Sequence, residues 1–85
     1  MVGFLMSFHL RKRFDMWYVY IINKKDFLYT GITTDLDNRM RQHGNARPLY
    51  VEEFQDKKIA SKREREIKGW RREKKLDLIH SKKIL

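Results

Sequence analysis

Trp17-Tyr18-Val19-Tyr20-Ile21-Ile22, the polar Asn23-Lys24-Lys25-Asp26, and then Phe27-Leu28-Tyr29-Thr30-Gly31-Ile32 make up the stretch that decides the fold. Aromatic and β-branched residues fill both apolar runs, which favours strands, and the polar segment between them supplies a turn, so a β-hairpin is expected. Strand propensity accounts for Trp17, Val19, Ile21 and Ile22. It does not account for the hydroxyls of Tyr20 and Tyr29, which a modest register would bring together on one face. Gly31 weakens its strand and marks a bulge or a place where another backbone or a ligand comes close.

Working outward, Thr33-Thr34-Asp35 offers N-cap residues for a helix from Leu36 to His43, in which Leu36 and Met40 are spaced i,i+4, as are Arg39 and His43. Arg39 borders the packing stripe, where a guanidinium needs an anionic partner or must snorkel outward. After the connection Gly44 to Pro48, Leu49 to Phe54 reads as a third strand with apolar side chains at 49, 51 and 54. Glu52 and Glu53 point to opposite faces and read as surface. Asp56 caps a helix over Lys57 to Lys68 whose inward stripe is Ile59, Ala60, Arg63, Ile67 and Trp70. Glu64 is the one carboxylate of that helix at the edge of the core face. Gly69 ends or bends it, and Arg72 to Ile79 gives a last helix with Leu76 and Ile79 inward.

The order β-β-α-β-α-α is an α+β plan, with a small, mainly antiparallel three-stranded sheet flanked by helices. The 85 residues bound it to one domain with one modest core. Residues 16–80 form that domain, residues 1–15 read as an N-terminal extension, either a flexible arm or a start-site artefact, and 81–85 as a basic C-terminal tail. With no cysteine, neither a disulfide framework nor a thiolate metal site is available, and a cytoplasmic location is expected. No apolar run reaches the roughly 18 residues of a membrane span. The chain carries a net charge of +9, and residues 57–83 hold twelve Lys/Arg against four Asp/Glu, a net of +8, leaving +1 for the rest. Such asymmetry suits a polyanionic partner. The bland alternative is a solvated helical face that keeps the protein soluble.

Tyr18-Val19-Tyr20, Tyr29-Thr30-Gly31, Arg39 with His43, and the helix Lys62-Arg63-Glu64-Arg65-Glu66-Ile67-Lys68 together resemble the GIY-YIG nuclease superfamily, in its small stand-alone bacterial branch, similar to the catalytic domain of the excision-repair nuclease UvrC. The resemblance runs from about Met16 to Ile79. It implies a GIY-YIG-like fold, hydrolysis of a DNA phosphodiester in repair or recombination, and one divalent cation, Mg²⁺ or Mn²⁺. Position by position it implies Tyr20, Tyr29, Arg39, His43 and Glu64 as catalytic residues, with Glu64 as the metal ligand. The chemistry of these side chains suits phosphodiester cleavage. A carboxylate holds a hard cation together with phosphate and water, Arg39 offers a planar fork to non-bridging oxygens, and a tyrosine near pKa 10 or a histidine near 6.5 moves protons. Either tyrosine fits the role of base. The expected partner is DNA, branched, damaged or single-stranded, held by Arg41, Lys62, Arg65, Lys68, Arg71, Arg72, Lys74 and Lys75, with the protein a monomer. The sequence departs from the family in Tyr-Val-Tyr for Gly-Ile-Tyr, in Ile32 where repair-type members can place a lysine, in its short 44–48 connection and in the missing downstream asparagine. The alternative is a nucleic-acid-binding module of the same fold with weak or no catalysis.

Overall fold

The hairpin is closed by Lys25 and Asp26, both at positive φ (52° and 72°), in the computed structural model, which describes residues 16–83. Two consecutive left-handed residues are what a two-residue hairpin turn needs if its twist is to match that of the strands. Asn23 and Lys24 therefore belong to β1 (Trp17–Lys24) and not to the turn, and β2 is Phe27–Thr33. The Asn23 side-chain oxygen accepts from the Asp26 N–H at 3.1 Å. The expected extension 1–15 and residues 84–85 lie outside the described residues.

β1 pairs antiparallel with β2 on one side and with β3 (Tyr50–Phe54) on the other, giving the order β2-β1-β3. The central position of β1 explains its lack of apolar–polar alternation: Val19 through Ile22 are all buried because both sheet faces are covered. On one face Tyr20 and Ile22 pack with Met40, Leu36 and Val51. On the other, Val19, Ile21, Leu28 and Tyr50 pack with Ala60, Ile67 and Ile79. The first face is thus covered by α1 (Leu36–Gln42) and the second by α2 (Lys57–Lys68) and α3 (Arg72–Lys83). The observed order, β-β-α-β-α-α, is the expected one.

The helix starts are local chemistry. An Asp35 carboxylate oxygen accepts from the Asn38 N–H at 3.1 Å, and Asp56 does the same for Lys58 at 2.8 Å, satisfying N–H groups that have no partner within the helix.

Besides the shorter turn, four details differ from the sequence expectation. Leu49 lies before β3 and is exposed, while the ring of Tyr50 enters the core in its place. Ile59 is 56% exposed on α2 and leaves its expected inward position, because Ala60 and Ile67 already fill the contact with the sheet. Glu52 is not a free surface group: it takes a bidentate pair from Arg63, Nε to Oε1 at 2.9 Å and Nη2 to Oε2 at 2.8 Å, and accepts from the Tyr50 hydroxyl. Burial and the carboxylate beside it push the Tyr50 phenol up to about 12. Finally, α3 continues past Ile79 to Lys83, so the expected tail begins inside a helix.

Candidate active site

The register that pairs Tyr20 with Gly31 and Ile22 with Tyr29 places both tyrosines on the α1 face. Tyr20 points over Gly31. A Cβ built at residue 31 would come within 3.0 Å of Tyr20 Cε2 and closer still to Cζ and the hydroxyl oxygen. The group that comes close at this glycine is therefore a tyrosine ring across the strand pair, in place of the bulge, backbone or ligand expected. Residue 31 must lack a side chain for the Tyr20 ring to lie over β2.

α1 ends at His43, its C-cap, whose N–H donates to the Arg39 carbonyl at 3.0 Å. That turn brings the imidazole back over the sheet. The rings of Tyr20 and His43 are 5.9 Å apart, those of Tyr29 and His43 5.2 Å, and the two tyrosines 6.3 Å. Tyr20 Oη lies 3.0 Å from His43 Nε2. Burial raises the Tyr20 phenol above its ordinary 10, Tyr29 and Glu64 add to the rise, and Arg39 opposes it. Burial lowers the His43 imidazole below its ordinary 6.5, helped by the charges of Lys24 and Arg39. The pair is thus a phenol and a neutral imidazole near pH 7. Arg39 can only donate, and in the tautomer that carries the His43 proton on Nδ1 the Nε2 lone pair accepts the Tyr20 O–H.

Tyr20 itself is 0% exposed, whereas Tyr29, Arg39, His43 and Glu64 are each half-buried. Glu64 comes from α2, the helix layered on the far face, yet its charge is felt at Tyr20. Its carboxylate pairs with Lys68 at 3.2 Å, one turn along the same helix. Tyr20, Tyr29 and His43 are therefore in ring contact, with Arg39 and Glu64 acting on the same hydroxyl through their charges. Tyr18 takes no part in this cluster.

The donor set suits a hard divalent cation of limited affinity. It contains one carboxylate, Glu64, and among the described residues no group of three or more acidic, histidine or cysteine side chains could hold a metal alone. Mg²⁺ accepts such a site when water and substrate phosphate complete its octahedron.

The basic residues divide. Lys62, Arg65, Arg71 and Lys74 are exposed on or beside α2 and α3, and Arg41 is exposed on α1. Arg72 reaches the Asp26 carbonyl at 3.0 Å and Lys74 lies over the Trp70 ring at 4.3 Å. Lys75, also expected among the DNA-contact residues, is buried: its Nζ donates to the Leu28 carbonyl at 3.0 Å, and burial lowers its pKa. Placed inward, it is not part of an exposed phosphate-binding face.

Two contributors escape a reading of the sequence. Lys24, expected in the turn, lies over the Tyr29 ring at 5.3 Å and acts on His43. Glu52 anchors Arg63, and the requirement of an anionic partner for a cation on a packing stripe, applied at Arg39, would have found it at Arg63 also.

The sequence profile of the GIY-YIG catalytic domain matches residues 16–48. A UPF0213 protein of Staphylococcus saprophyticus is 42% identical over 78 residues, covering 76% of this chain and 95% of that protein. The chain belongs to the GIY-YIG family, in its UPF0213 branch. A second UPF0213 relative, from Clostridium perfringens, is 40% identical over 82 residues, with 81% and 88% of the two chains covered. The solution NMR structure of a UPF0213 protein from Bacillus halodurans shares 32% identity and superposes with a TM-score of 0.58 over 79% of this chain and 85% of that one. The segment of this GIY-YIG domain that matches the profile ends at Pro48, so Tyr20, Tyr29, Arg39 and His43 fall inside the match and Glu64 beyond it.

Proposed function

We propose that this GIY-YIG domain is a metal-dependent DNA endonuclease that hydrolyses phosphodiester bonds at Tyr20, Tyr29, Arg39, His43 and Glu64. The observation that carries the reading is the Tyr20–His43 hydrogen bond of 3.0 Å under the influence of both Arg39 and Glu64. A buried phenol does not ionise near pH 7 by itself. Paired with a neutral imidazole, it can give its proton to Nε2 at the moment its oxygen takes one from the attacking water, and Arg39 steadies the transient phenolate. The substrate meets Tyr29, Arg39 and His43 first, because these are the half-buried members. Arg39 supplies the planar donor for non-bridging phosphate oxygens. Glu64 would hold Mg²⁺ or Mn²⁺, which when bound supplies Lewis-acid charge at the phosphate. Phosphate contacts position a strand without reading its bases, so cleavage of low sequence specificity is expected. A role in repair or recombination follows the likeness to UvrC, with branched, damaged or single-stranded DNA as substrate, and a cytoplasmic monomer is the working form.

The test is nicking of plasmid and branched DNA with Mg²⁺ or Mn²⁺. Glu64→Ala and Arg39→Ala should each lose at least about 100-fold, and Tyr20→Phe combined with His43→Ala should lose little more than either alone, since they act as a unit. Equal trace activity in wild type and variants would sink the proposal.

One observation favours a second reading, a nucleic-acid-binding module without efficient cleavage: the Glu64 carboxylate already has a cation, Lys68, at 3.2 Å. Under that reading, DNA binding survives Glu64→Ala and no divalent ion promotes cleavage.

A further inference from the structure

Tyr29 has two environments. Its ring meets His43, and it also borders a cleft of about 440 Å³ along β2 and the hairpin end. Phe27, at the start of β2, lines the cleft and is 75% exposed. It belongs to neither core cluster, so packing does not require an aromatic ring there. Lys24, Lys25, Lys68 and Lys75 also line the cleft, the last with its ammonium on the Leu28 carbonyl, and no acidic residue does. In its wall the Thr30 hydroxyl is buried and has no hydrogen-bond partner among the described residues. Two of its lining residues touch members of the candidate active site, Lys68 through its ion pair with Glu64 and Tyr29 through its ring contact with His43.

A flat, exposed ring, an apolar floor and ammonium groups in a lining without carboxylates match one chemistry, an aromatic base attached to phosphates. We propose that the cleft seats an unpaired base of the DNA strand, adjacent to the phosphate presented at Tyr20 and His43. Phe27 stacks on the base, and Lys24, Lys25 and Lys68 take the flanking phosphates. A duplex cannot offer this group, because its bases already stack on one another; a single strand, a flap or a disrupted pair can. The volume lies within the range of small-ligand clefts. This subsite rests on the nuclease reading for its substrate, and it favours strands with at least one unpaired nucleotide.

The experiment uses the full chain carrying Glu64→Ala, in EDTA, so that nothing is cleaved. Binding is followed with oligonucleotides bearing 2-aminopurine at one position, either single-stranded, in a flap, or within a duplex. The expected result is a fluorescence change in the single strand and flap but not in the duplex. Adding Phe27→Ala should weaken single-strand binding by about 5- to 150-fold and change duplex binding by less than about twofold, while Phe27→Trp restores it. An unchanged melting temperature for Phe27→Ala verifies that the fold is intact. Equal loss on single strand and duplex, or no loss on either, overturns the subsite. Its failure is distinguishable from that of the nuclease reading: wild-type cleavage without dependence on Phe27 removes only the subsite, and base seating without wild-type cleavage removes only the nuclease.

Discussion

At Gly31 the absence of one carbon decides where a catalytic candidate sits. Any side chain there would strike the Tyr20 ring, which is fully buried and has no free space to retreat into. Gly31→Ala should therefore cost about 1–3 kcal/mol in urea denaturation, as overpacking does, and should also disturb the Tyr20–His43 contact. A second outcome concerns pH. Burial first, then Lys24 and Arg39, depress the His43 imidazole, so it binds its proton less well folded than unfolded. The associated stability is present above the ordinary value near 6.5 and is lost as pH falls through the lower folded value. The melting temperature should drop between pH 7 and pH 5, and His43→Gln should make that drop shallower. The tyrosines were legible in the sequence because their hydroxyls exceeded what a strand needs. The phenol–imidazole bond was not, since it depends on the C-cap turn that swings His43 back over the sheet.

Among the elements, the ion pair between β3 and α2 is the most specific tie. Arg63 forks onto Glu52, whose side chain also accepts from Tyr50, and the guanidinium stacks at 5.3 Å on Trp70. Glu52→Gln removes the bidentate charge partner of a partly buried guanidinium, leaving the longer contact to Glu66 at 3.7 Å, and should lower stability by about 1–3 kcal/mol in thermal or urea unfolding. Because α2 also carries Glu64, the same change is expected to reduce cleavage. The helix starts at Asp35 and Asp56 and the hairpin could be read directly, since capping and turn formation are local chemistry. The inward faces of β3 and α2 could not. With both sheet faces covered, Tyr50 and Val51 are both packed, so alternation no longer separates core from surface, and Ile59 loses its place to its neighbour Ala60.

For the whole molecule, the sequence disclosed a charge imbalance but not its layering. The tyrosine cluster lies under α1, whereas most of the excess positive charge belongs to α2 and α3 on the opposite face. Glu64 lies on α2 within the basic layer, and under the proposed function a DNA strand following that surface must pass the sheet edge to reach the tyrosine cluster. If roughly six phosphates are neutralised along this path, affinity should fall about a thousandfold between 50 and 200 mM salt, measurable by fluorescence anisotropy. A flat salt response would leave the basic face with a solubilising role only.

β2 is an outer strand of the sheet, and its backbone could add a strand from a second molecule. The buried ammonium of Lys75, donating to the Leu28 carbonyl, closes one rung of that ladder. With that carbonyl occupied, one acceptor fewer on the outer edge of β2 is open to a second chain. Lys75→Met keeps the aliphatic stem and removes the donor, and light scattering at high protein concentration should then reveal chains associating edge to edge.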